Sequence, residues 1–176
     1  MKVSWIAILW LGWCVAVGAA ERGPADFFGE YIGATDGASG KERDLNVTIR
    51  PEHGDGHFYV EWTTVIHKPD GRTKRRTHKV SFHPSGRDNI YASAMRTTVF
   101  GGKSSLDPLN GEPLFWAQIQ GDTLTVNAFM IDDSGNYVMQ VYKRTLTRQG
   151  LHLEFERNHG GEPRVSLQAD LVRVAD

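Results

Sequence analysis

The chain has 176 residues, with 20 basic and 21 acidic side chains, seven histidines and one cysteine. A charge balance this close to neutral argues against a general nucleic-acid binder, which carries a basic excess. A single cysteine allows no internal disulfide, so an apolar core must hold the fold together.

Read from the first residue, Met1 and Lys2 precede an apolar run from Trp5 to Val17, then Gly18, Ala19 and Ala20, before Glu21 opens a polar sequence. A positive start, an apolar core and small closing residues are the pattern of a cleavable export signal. The run of about 13 apolar residues is shorter than the roughly 20 that a bilayer-spanning helix needs. Cleavage is expected after Ala20 or Ala19, which makes residues 1–20 the signal and residues 21–176 one domain. Cys14 follows Trp13, whereas a lipid-modified cysteine needs a small residue before it, so Cys14 is expected to leave with the signal. The implied destination is secretion or the periplasm. No later apolar stretch reaches membrane length, so the domain is not expected to span a bilayer.

Beyond the signal the dominant period is two. It predicts ten strands, near residues 27–33, 44–50, 57–67, 72–83, 89–98, 114–120, 123–131, 137–147, 151–158 and 164–174. One helical turn is expected at 26–29. Lys68-Pro69-Asp70-Gly71, Gln120-Gly121-Asp122 and Asp132-Asp133-Ser134-Gly135-Asn136 carry the Pro, Gly, Asp and Asn of tight reversals. Connections this short make sequential strands antiparallel. Phe58, Val60, Trp62 and Ile66 alternate with polar neighbours, as do Leu124, Val126, Ala128 and Met130. The same holds for Leu151, Leu153 and Phe155, and for Val165, Leu167, Ala169 and Leu171. One apolar face per strand suits an antiparallel sheet curled on itself. Closure would remove exposed edges, so the expected fold is all-β, an antiparallel up-and-down barrel of about 8–10 strands. A β-sandwich is the alternative.

Strand order and Gly29-Glu30-Tyr31 near the start of the domain resemble the calycins, the superfamily of lipocalins and fatty-acid-binding proteins. The tripeptide is similar to the Gly-x-Trp opening of a lipocalin strand, with Tyr31 in place of Trp. The resemblance implies a barrel that holds a small apolar or amphipathic ligand. It also implies a late basic residue over Tyr31, either Arg144 or Arg173.

Period two carries Lys74, Arg76 and His78 onto the same face as Val80 and Phe82. In a barrel similar to the fatty-acid-binding type, interior arginine meets a ligand carboxylate, so Arg76 and His78 are candidate anchors of an anion-recognising cavity. The competing reading is a solvated basic edge that guards against aggregation. Trp62 lies across the hairpin. Trp116 and Gln118 share one face of the sixth strand. Tyr142 shares a face of the eighth strand with Gln140 and Arg144, and either of its faces could be the inner one. If Trp116, Gln118 and Tyr142 point inward with Trp62, the cavity is aromatic with a few hydrogen-bonding groups, as small-ligand sites are.

The long connection from Phe100 to Pro113 carries Leu106 and Leu109 and is either a lid over one mouth or a surface loop. His53-Gly54-Asp55-Gly56-His57 gathers two histidines and a carboxylate in one turn, but short polar turns collect these residues anyway, and no metal or cofactor is expected. Gly-x-Ser-x-Gly, His-Glu-x-x-His and phosphate-cradling loops are absent. The leading expectation is a non-enzymatic, exported ligand-binding barrel. A cell-envelope interaction or inhibitor module is the second, with an apolar patch near Leu106–Leu109. A barrel isomerase or hydratase, pairing His78 with Glu61, Asp132 or Glu154, is the third.

Overall fold

A computed structural model describes residues 22–36, 42–93, 96–97, 103–104 and 106–176. The expected export signal, residues 1–20, lies outside the described residues, as do parts of the Phe100–Pro113 connection. The strands are β1 (Gly29–Asp36), β2 (Glu42–Pro51), β3 (Phe58–His67), β4 (Thr73–Arg87), β5 (Ile90–Ser93), β6 (Arg96–Thr97), β7 (Lys103–Ser104), β8 (Leu114–Gln120), β9 (Thr123–Ile131), β10 (Tyr137–Leu146), β11 (Gly150–His159) and β12 (Glu162–Ala175). Ten of them close into one antiparallel barrel in the order β1-β12-β11-β10-β9-β8-β5-β4-β3-β2, while β6 and β7 form a separate two-stranded ribbon. The sandwich is therefore excluded, and the barrel is of up-and-down type. No helix among the described residues is long and apolar enough to cross a membrane.

Two boundaries differ from the sequence expectation. The strand expected at 89–98 is two short pieces, β5 and β6, belonging to different sheets. The connection before β8 contains β7 and a 3-10 turn at Pro108–Asn110, where Asp107 caps the turn by accepting from the Leu109 amide. Because β5 spans only four residues, the part of β4 from Thr73 to Ser81 pairs only with β3 among the described residues.

One end of the barrel is packed solid. Phe27, Tyr31, Ile49, Phe58, Phe82, Leu124 and Leu151 point inward there and are at most 1% exposed. A 3-10 turn, Pro24–Phe27, drops Phe27 into this end. Tyr31 completes the plug: its hydroxyl donates to the Phe27 carbonyl at 2.8 Å and accepts from Arg173 Nη2 at 2.8 Å. The Arg173 guanidinium carbon lies 5.3 Å from the Tyr31 ring centroid. Of the two late arginines, Arg173 is thus the one over Tyr31. Gly29 is required beside them, because it holds φ +152° and a Cβ there would come within 3.1 Å of Arg173 Nε and 3.2 Å of the Tyr31 ring.

Candidate functional site: a cationic cavity in the barrel

Toward the other end the inward-facing residues change character, and the interior opens into a cavity of about 340 Å³. Volumes of a few hundred Å³ suit small molecules. Leu45, Val47, Leu153 and Leu167 supply apolar wall, and an aromatic cluster supplies the rest. Trp62 stands at its centre, stacked on His78 at 5.3 Å and 27° and packed against Tyr142 at 5.0 Å. Tyr142 leans in turn on Phe155 at 4.7 Å, and its hydroxyl donates to Gln140 Oε1 at 2.7 Å. Burial raises the Tyr142 phenol above its ordinary range, so it stays protonated.

Four arginines line this space: Arg43, Arg76, Arg144 and Arg157. No Asp or Glu among the described residues lines it. Arg144 is the unusual one. It sits opposite Leu124 on β9 and Leu153 on β11, and it is 1% exposed. Its guanidinium carbon lies 5.5 Å from the ring centroids of both Trp62 and Tyr142. Those cation–π contacts are its compensation, each worth on the order of 1 kcal/mol. Its Nε and Nη1 have no hydrogen-bond partner, and neither has the buried Nε of Arg43. Burial draws the Arg144 pKa down to about 10, which leaves the group cationic at neutral pH. A buried, unpaired cation costs several kcal/mol. Buried unsatisfied donors of this kind are uncommon in native proteins, and each calls for an explanation.

The structure brings together four of the six residues singled out from sequence: Trp62, Arg76, His78 and Tyr142 all line the cavity. Arg76 and His78 are also exposed, because they stand on the stretch of β4 that β5 leaves uncovered. Trp116 and Gln118 do not belong with them. Phe115, Ala117 and Ile119 are the inward residues of β8, and period two turns Trp116 and Gln118 outward.

The acid–base pairs considered for His78 are not assembled either. Glu61 and Glu154 alternate with buried neighbours and face outward. Asp132 bonds His159, whose hydrogen bond is the main cause of its lowered carboxyl pKa. Among the described residues no three His, Cys, Asp or Glu side chains converge as a metal site. His57 of the Gly-rich turn packs instead near His83, at 5.9 Å.

Sequence reasoning did not single out Arg43 or Arg157, and it weighed Arg144 only as a partner of Tyr31. The signal was present. Leu151, Leu153 and Phe155 lead by steps of two to Arg157, and Arg43 leads by the same steps to Leu45, Val47 and Ile49. Arg144 was hidden because both faces of β10 carry a tyrosine.

Comparison with protein-family models, with curated proteins and with solved structures finds no match. The closed ten-stranded antiparallel barrel is compatible with the calycin architecture, and the case for function rests on the cavity itself.

Proposed function

We propose that this domain is an exported, calycin-type binding protein that takes a small amphipathic anion into its barrel. The observation that carries the reading is Arg144, a buried cation with two unpartnered nitrogens, Nε and Nη1, on the wall of a cavity that no carboxylate lines among the described residues. The anionic group would dock on Arg144, and the rest of the ligand would lie along Leu45, Val47, Leu153 and the aromatic cluster. Charge-assisted hydrogen bonds to a guanidinium are the strong kind, and they are stronger away from water. The chemistry asked of the protein is capture and release, carried out after the signal is removed in the periplasm or outside the cell.

The test is a displacement assay with a fluorescent naphthalene sulfonate as reporter. Decanoate is expected to displace it and decanol is not, and Arg144→Met is expected to weaken decanoate by about tenfold or more, the worth of one charge-assisted contact. Equal affinity of wild type and variant for decanoate, or no binding of any anion, would overturn the reading.

A further inference from the structure

The cavity holds its positive charge at two depths. Arg144 is the deep group, lying beside the Trp62–Tyr142 pair with its guanidinium carbon 5.5 Å from both ring centroids. The other three arginines stand nearer the open end, as strand register shows. Arg157 lies four residues along β11 from Leu153, the residue opposite Arg144. Arg43 lies four residues along β2 from Val47, the residue opposite Trp62. Arg76 lies two residues along β4 from His78, also opposite Trp62. At about 3.3 Å per residue these offsets place the outer cations roughly 7–13 Å along their strands from the inner level. None of Arg43, Arg76 and Arg157 has a side-chain hydrogen bond or ion pair among the described residues. Between the two levels Leu45, Phe155 and Leu167 supply apolar and aromatic wall.

A ligand with one negative charge leaves one of these levels unanswered. Docked on Arg144 with a plain alkyl tail, it would lay hydrocarbon among three guanidinium groups. Docked at the outer level, it would leave Arg144 buried and unpaired. Resting on the anion-binding reading above, we propose that the ligand is a two-ended dianion, an apolar or aromatic segment with an acidic group at each end. The inner acid meets Arg144, and the outer acid meets the group formed by Arg43, Arg76 and Arg157. The outer level also gives the incoming ligand a positive field at the opening, which speeds capture at low salt.

Three ten-carbon probes separate the possibilities by calorimetry on the mature domain: decanoate, decanedioate and decyl phosphate. The first has one charge, the second one at each end, and the third both charges at one end. Decanedioate is expected to bind about tenfold tighter than either of the others, with the steepest loss of affinity as salt rises. In the triple variant Arg43→Gln/Arg76→Gln/Arg157→Gln the advantage of decanedioate over decanoate is expected to vanish. Decanoate or decyl phosphate binding wild type as tightly as decanedioate would overturn the two-ended ligand and leave the anion cavity standing. Failure of all three acids to bind would overturn both. The wild-type comparison decides the matter even if the triple variant does not fold.

Discussion

Arg173 and Arg144 both lie against aromatic rings, at 5.3 Å from Tyr31 and 5.5 Å from Trp62 and Tyr142, yet their surroundings differ in kind. Arg173 donates to the Tyr31 hydroxyl and remains partly in water. Arg144 has lost its water and received no acceptor for Nε or Nη1. The first arrangement serves the fold, whereas the second weakens the empty protein. Arg144→Met fills similar volume without the charge, and replacing buried charge by packed apolar groups gains about 1–3 kcal/mol. Thermal denaturation of the empty domain is expected to show the melting temperature rising by several degrees, at about 2–4 °C per kcal/mol for this size. A variant that melts lower than wild type would mean that the cation is satisfied without a ligand.

Strands β11 and β12 show how sequence becomes geometry at the level of an element. Gly150 opens β11 where β12 passes so close that a Cβ would collide with the Leu171 carbonyl oxygen and sit 2.8 Å from the Arg173 amide nitrogen. Both obstacles are backbone, which cannot rotate aside. Gly150→Ala is therefore expected to cost about 1–3 kcal/mol, the usual toll of forcing extra atoms into a packed site. Urea denaturation should show a lower midpoint, and an unchanged midpoint would mean that the strands separate freely there. Legibility also varied by element. In β3, β9, β11 and β12 one face is apolar and the other polar, so alternation revealed both strand and orientation. In β8 the two faces compete, with Phe115, Ala117 and Ile119 against Leu114 and Trp116, and the larger aromatic belongs to the outer face. In β10 each face has its own tyrosine. Hydrophobicity alone does not orient such strands, because only the register with β9 and β11 decides the side. The cavity was therefore half legible, through Trp62, Arg76, His78 and Tyr142, while its deepest charge stood on a strand whose orientation the sequence left open.

At the scale of the whole molecule, charge pairs set the response to pH. Asp26 is held below the usual carboxylate range by the Gly23 amide and Arg22, Asp70 by Arg72, and Asp132 by His159. Groups with a lowered folded pKa contribute stability that is present above about pH 4 and lost as acid protonates them. His67 has the opposite sign: its hydrogen bond to Asp44 raises its pKa, so its contribution is full below about 6.5 and fades as pH rises through the folded value. Stability is therefore expected to be highest between about pH 5 and 6.5, with a decline on either side. Denaturant midpoints measured from pH 3 to 9 would check this, and a midpoint that climbs steadily from 5 down to 3 would contradict it.

Strand β1 pairs with β2 on one side and with β12 on the other. The seam of the ring thus joins the earliest strand to the latest, across a sequence separation of more than a hundred residues. Long-range pairing of this kind is paid for in loop-closure entropy before any contact rewards it. A chain that lacks β12 leaves one side of β1 unfilled and its cavity without the wall that Val165 and Leu167 supply. The ring closes only when β12 takes its place between β1 and β11.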